Sequence, residues 1–317
     1  MRTGIKMAYA AAITYSILIG LSFMFVKLIV HTASAFDILA VRFLLSLVML
    51  TIPILFGWIK LQIKLKDIFR LIPLAVLYPI FFFTFQTWGL LGATSAEGGI
   101  IQATAPIFTA VLAAFVLNEK TNLWQKLFLI LSVGGVIFIF VMQGSAISIG
   151  HLGSIGFLLL STFSFAVYTI LVRRIGQTYK SYDLSYVIIM LASISFIIIS
   201  MVEHVLSGTM DEIVKPFYQP IYLYSIFYLA AFSSVSSILL SNYALSKLEA
   251  YKVSVFNNLS TLVSILAGVV FLNEPITSVH VIGAFMIIVG VVGTNLAGQW
   301  SRRSELTIKN EKGDSYE

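Results

Sequence analysis

The chain has 317 residues, of which 59% are hydrophobic and only 11% charged, and its mean hydropathy is +0.97; globular domains average about 45–50% apolar and about 25% charged residues, so a soluble globular enzyme is excluded. The absence of cysteine removes disulfides, iron–sulfur clusters and thiolate zinc sites. The net charge of +6 reports orientation before it reports an anionic partner, because cytoplasmic loops collect Lys and Arg, and nucleic acid is not expected as a partner.

A hydrocarbon core of about 30 Å calls for about 20 apolar residues of helix. Stretches free of Asp, Glu, Lys and Arg fill most of the chain, and the longest, 127–172, is divided by a polar, Gly-rich turn from Gln143 to Gly153. The first apolar run follows Arg2 and Lys6 but lacks a small-residue cleavage site and precedes many similar runs, so it is read as a retained helix. Ten helices are predicted, over 8–30, 36–58, 68–90, 95–117, 122–142, 152–173, 184–205, 221–246, 250–272 and 276–298, with a polar tail at 299–317. A cytoplasmic N-terminus puts 17 of the 20 Lys and Arg inside, leaves Lys27 and Lys215 outside and Arg42 within a helix, so both termini are expected in the cytoplasm. Trp58, Trp88, Trp124 and Trp300 all fall near predicted helix ends, where amphipathic rings prefer the interface.

The chain also repeats itself. Phe115-Val116-Leu117-Asn118-Glu119-Lys120 recurs as Val270-Phe271-Leu272-Asn273-Glu274-Pro275, an offset of 155 residues at which Trp88 meets Tyr243, Leu90 meets Leu245, Gln102 meets Asn257 and Gly135 meets Gly290. Gly20-Leu21-Ser22, ending at Lys27, matches Ala166-Val167-Tyr168, ending at Arg173, at an offset of 146. Two units follow, 1–144 and 150–298; with five helices each, an odd number, they run in opposite directions through the bilayer. Such inverted halves can exchange conformations and open a central site to each side in turn. A duplicated bundle with a structural or receptor role fits the repeat as well.

The two similar five-helix halves, the Leu-Asn-Glu turns after helices 4 and 9, Ala40-Val41-Arg42-Phe43-Leu44 early in helix 2 and the paired glycines of helices 5 and 10 resemble the EamA-type drug/metabolite transporters, over residues 8 to 298. The resemblance implies a cytoplasmic-membrane carrier of small metabolites, often an exporter of amino acids or related compounds, with helices 1, 3, 4, 6, 8 and 9 around a central cavity. Where the family commonly carries a Trp-Gly pair, this chain has Ile19 before Gly20 and Phe165 before Ala166.

Candidate site residues are polar groups and helix breaks near the centres of the spans, since unsatisfied polar groups in hydrocarbon are costly. Pro79 and Pro106 each remove a backbone hydrogen bond near mid-span, for substrate access or for a packing kink. Gln102 and Asn257, equivalent in the repeat, offer donor and acceptor together; substrate contact and interhelical hydrogen bonding both fit them. Asn258 lies about 100° around the helix from Asn257, so one of the two is expected to face the interior. Ser22, Tyr78, Gln86, Tyr168 and Asn242 are further substrate-binding candidates, and Ser233, Ser237 and Ser241 form a four-residue-spaced stripe for a pathway or close helix approach.

Among ionisable residues, Arg42 is expected to snorkel or pair with Asp37 in preference to binding a substrate carboxylate, and Lys27 to behave alike. Glu119 and Glu274 are expected to favour the starts of helices 5 and 10 through the helix dipole, and Glu97 is a gating candidate. No Asp or Glu falls near a predicted midplane, so a proton-coupled mechanism through a central carboxylate has no candidate. His31, His151, His204 and His280 lie far apart without metal-ligand spacing, and no metalloprotease, P-loop or prenyl-phosphate signature occurs, so neither metal nor cofactor nor enzymatic activity is expected. The sequence therefore predicts an all-α membrane protein acting as a secondary transporter, its partners a small-molecule substrate and membrane lipid, with a homodimer left open. A receptor or scaffold and a lipid-linked carrier or flippase are the alternatives.

Overall fold

The structure is a computed structural model describing residues 2–29, 32–90, 101–119, 121–142, 152–175, 178–272 and 277–313. Its helices are α1 (Arg2–Ile29), α2 (Ala35–Leu55), α3 (Lys66–Gly89), α4 (Ala105–Val116), α5 (Leu123–Met142), α6 (Leu152–Ile175), α7 (Ser181–Ser207), α8 (Pro220–Lys247), α9 (Ala250–Leu272) and α10 (Ser278–Gly313). Among the described residues eight contain a stretch long and apolar enough to cross a membrane, and Ala105–Val116 and Leu123–Ile139 are shorter apolar helices. Of the one long helix expected over 95–117, residues 95–100 lie outside the described residues, 101–102 are helical, and a turn at 103–104 interrupts it before α4 begins at Ala105, so Pro106 stands in a first turn, where proline's missing N–H costs nothing. The polar residues after 298, expected as a tail, continue α10 as helix to Gly313, in keeping with a run that holds no proline and no glycine before its end.

Local chemistry sets the helix ends. The Ser34 side chain accepts the Asp37 N–H at 3.2 Å to start α2, and Gly208, at φ 67°, ends α7 in the left-handed conformation that glycine adopts without strain. Asn122 and Gln125 cap α5 reciprocally, each side-chain carbonyl accepting the other's backbone N–H at 2.8 Å. Glu119, expected to serve that helix start, is thereby released for another role.

Among the described residues, two helices are broken in the middle. Val76–Phe81 in α3 and Leu229–Ser236 in α8 are π-helical, and Tyr78 leaves helical geometry altogether (φ −146°, ψ 121°), as a residue before proline is driven to do. Hydroxyls meet carbonyls at these breaks: Ser161 donates to Phe82 O at 2.8 Å, Ser46 to Ala230 O at 3.2 Å and Ser236 to Ala231 O at 2.9 Å. Elsewhere Ser and Thr donate one turn back, as Thr51 does to Leu47 O and Thr162 to Leu158 O, which lets polar residues sit inside apolar spans.

The helices pack in a regular scheme: α5 against α10, α2 against α7, α1 against α8 and α9, α6 against α3 and α4, α2 against the α8 break, and α7 against α3. Glycines permit the closest approach. A Cβ on Gly290 would lie 2.5 Å from Ser132 N, and one on Gly135 2.9 Å from Gly283 O, so α5 and α10 meet backbone to backbone, while Gly20 brings α1 onto Ser260 and Val263 of α9. Large apolar side chains such as Val48, Ile52, Ile198, Val202 and Phe285 remain exposed on the outside of the bundle, as lipid-facing surfaces require.

Candidate functional site

At the α3 break, aromatic side chains of α3 and α6 come together. The Tyr78 ring stands 5.3 Å from that of Phe165, 4.9 Å from Tyr168 and 5.8 Å from Phe83. Gln86 on α3 donates to the Gln102 side chain, just before α4, at 3.3 Å, so two expected candidates face one another across the α3–α4 junction. Asn257 accepts the Tyr15 hydroxyl at 2.8 Å, joining α9 to α1, whereas Asn258 is buried and donates to Ser132 of α5 at 3.0 Å. Of the adjacent asparagines, Asn258 therefore ties helices together and Asn257, half-buried, turns toward α1.

Other candidates are engaged within the protein. Tyr168 donates to Asn242 Oδ1 at 3.0 Å and Asn242 Nδ2 to Ser185 Oγ at 2.9 Å, a chain across α6, α8 and α7. Tyr168→Phe leaves the buried Asn242 carbonyl without this donor and is expected to cost about 1–2 kcal/mol, read as a lower unfolding midpoint in detergent. Ser22 donates back to Ile19 O at 2.6 Å. Pro79 sits within the α3 break, Ser237 donates to Phe232 O at 3.0 Å, and Glu97 lies outside the described residues.

Arg42 neither snorkels nor pairs with Asp37. Only 6% exposed, it points into the bundle, where Nε donates to Ser234 Oγ at 2.6 Å and Nη2 to Ser233 Oγ at 3.0 Å, both in the α8 break; its guanidinium carbon lies 5.5 Å from the centre of the Phe83 ring. Asp37 is occupied elsewhere. Its Oδ1 accepts Ser200 Oγ at 2.6 Å, and its carboxylate meets His204 Nε2 at 2.9 Å, while His204 Nδ1 meets the Thr209 hydroxyl at 2.7 Å. Asp37 and His204 help line a cavity of about 300 Å³, together with Thr32, Ser34, Glu212 and Lys215. Five residues, about 1.4 turns, separate Asp37 from Arg42, which puts them on different faces of α2, and Arg42 faces α8.

The opposite end is tied by the Leu-Asn-Glu turn. Asn118 takes the left-handed conformation (φ 55°), which asparagine tolerates, and the Glu119 N–H returns to Ala113 O at 3.1 Å, so the chain reverses and aims the carboxylate inward. Glu119 Oε1 accepts Arg173 Nε at 2.9 Å and Oε2 accepts the Ala250 N–H at 2.9 Å, while Arg173 Nη1 donates to Leu245 O at 3.0 Å. One ion pair thus joins the ends of α4, α6, α8 and the start of α9. The matching Glu274 lies outside the described residues. Spacing along the chain does not reveal the Glu119–Arg173 contact; the only sequence signal is that each residue belongs to a repeated motif.

Comparison with known proteins decides the family. The EamA-like transporter family matches twice, over residues 6–141 and 152–296. The chain belongs to the EamA-like transporter family. This EamA-like chain is 47% identical over 289 residues to "Uncharacterized transporter YcxC" of Bacillus subtilis (strain 168), covering 91% of this chain and 93% of that one. An "Uncharacterized transporter" of Archaeoglobus fulgidus is 27% identical over 86% of this chain and 92% of its own. A crystal structure with 14% identity superposes with a TM-score of 0.75 over 96% of this chain and 99% of that one, a likeness of fold. Family and apolar helices together make the EamA-like chain a multi-pass membrane protein.

Proposed function

We propose that this protein is a secondary transporter of the cytoplasmic membrane, with both termini inside, that moves small metabolites by alternating access, exported amino acids or related compounds being the leading class. The observation that carries the reading is the symmetry of the packing. Exchanging helices α1–α5 with α6–α10 maps the α5–α10 and α2–α7 contacts onto themselves, turns α1–α9 into α6–α4, and turns α2–α8 into α7–α3. The two π-helical breaks, Val76–Phe81 and Leu229–Ser236, overlap at the same offset of 155 that relates the Leu-Asn-Glu turns. Two halves with equivalent breaks around an aromatic and polar centre are what a carrier needs to present one site to each side in turn. The Glu119–Arg173 bridge ties helix ends together at one end of the bundle, and an alternating-access cycle that opens this end would require it to part.

Ten helices in two inverted repeats, with the Glu119 end cytoplasmic, agree with the distribution of Lys and Arg. Export and amino acids come from the family resemblance. The test is counterflow: liposomes holding the protein and an unlabelled amino-acid pool are expected to accumulate labelled amino acids saturably, above empty liposomes. Folded protein that gives no flux with amino acids or with other metabolite pools would favour a scaffold or receptor.

A further inference from the structure

The geometry points to Arg42 as the binding residue for a carboxylate on the transported solute, so that the substrate class is carboxylate-bearing compounds. The inference rests on the carrier reading only in taking the occupant to be a solute in transit. A guanidinium has five N–H donors and a permanent charge, and a charge held away from water is costly unless a countercharge meets it. Arg42 uses two of those donors, on the neutral hydroxyls of Ser233 and Ser234, and no carboxylate lies within ion-pair distance of it among the described residues. The acid nearest in its own helix, Asp37, is taken by His204 and Ser200. Among the described residues Arg42 therefore meets no countercharge, and its hydrogen bonds to the two serines use Nε and Nη2, not Nη1.

Its position suits a transported ligand better than a structural strut. Ser233 and Ser234 stand at the middle of the 28-residue α8 span, inside its π-helical break, and Phe83 lies two residues past the break in α3. Arg42 thus lies between the two discontinuous helices, at the place where a rearrangement of either half would alter its surroundings. Two serines fix the guanidinium plane through Nε and Nη2, which orients the remaining N–H groups as a preformed carboxylate clamp. The adjoining rings of Phe83, Tyr78 and Phe165 offer an apolar wall for the rest of the solute. With no acid beside the arginine among the described residues, the clamp recognises the carboxylate without requiring an amine on the ligand.

The test pairs acids with their neutral isosteres. Purified full-length protein is titrated with 3-phenylpropionate and 3-phenylpropionamide, phenylalanine and phenylalaninamide, and butyrate and butyramide, reading thermal stabilisation, and the same compounds are offered in liposome counterflow. The expected result is binding of at least one acid about tenfold or more tighter than its amide, with this preference lost in Arg42→Gln, kept in part by Arg42→Lys and weakened by Ser234→Ala. A structural role alone would lower the unfolding midpoint of Arg42→Gln without touching the acid-over-amide ratio of a variant that still folds, such as Ser234→Ala. Equal binding of acids and amides, an undiminished preference in Arg42→Gln, or no binding by any compound overturns the inference. Carboxylate-selective binding without flux would retain it and reject the carrier reading, and saturable flux indifferent to charge would do the reverse.

Discussion

Glu119→Ala is expected to loosen one end of the bundle and to destabilise the protein by about 2–4 kcal/mol, the range for leaving a largely buried charge without its partner, discounted for residual solvent. The two side chains are 16% and 13% exposed, so the arginine left behind remains mostly desolvated. The substitution also strips the Ala250 N–H of its acceptor at the start of α9. Since the chain contains no cysteine, a single Ser254→Cys reports on that region without background; Ser254 is buried one turn inside α9, against Thr109 of α4 at 3.2 Å. Labelling of that cysteine by a membrane-impermeant maleimide should rise about tenfold or more when Glu119→Ala is added, because each 1.4 kcal/mol lost by the closed arrangement shifts its population tenfold. Glu119→Gln, which keeps an oxygen for Ala250 and loses the charge, should fall between. Unchanged labelling in Glu119→Ala would remove the bridge from any account of closure.

Gly290→Val should be the more damaging change to the fold. Even the first added carbon would come within 2.5 Å of Ser132 N and 2.7 Å of Phe128 O, backbone atoms of α5 that cannot turn aside. Overpacking of this kind costs about 3 kcal/mol, and here the strain falls on a helix pair at the pseudo-symmetry axis of the proposed repeat. A lower unfolding midpoint and loss of the monodisperse peak in detergent are the expected results. Gly156→Ala is the control: a Cβ there meets nothing within 4 Å, and replacing a helical glycine should be neutral or slightly stabilising. A Gly290→Val protein as stable as the parent would mean that α5 and α10 do not meet as described.

The proposed Arg42 site and the Glu119 bridge show where chain-order reasoning stops. Arg42 and Asp37 are five apart on one helix, so proximity favoured pairing them; the structure instead gives Asp37 to His204, 167 positions away, and Arg42 to Ser233 and Ser234, 191 and 192 away. Glu119 was legible as half of a repeated motif, and its left-handed Asn118 explains why the turn ends as it does, but its partners Arg173 and Ala250 come from other helices. Tyr15 and Phe83 carry no motif, and a single aromatic in an apolar span looks the same in sequence whether it faces lipid or the bundle interior.

What the sequence determined by itself was the membrane class, the helical content, the positions of most helices, the repeat at 155 and the family, since each follows from local composition, from hydropathy summed over about 20 residues or from self-comparison along one line. What only the tertiary structure decided was which polar groups spend their hydrogen bonds on the protein and which keep a donor free. Asn258 on Ser132, Asn242 on Ser185 and Tyr168, and Arg42 on the α8 serines are outcomes of helix rotation and packing. A turn of roughly 100° between adjacent residues decides which helix each one faces, as Asn257 faces α1 and Asn258 faces α5, and that facing is set by how the helices pack, with backbone contact at glycines and breaks in α3 and α8, rather than by any residue's own preference.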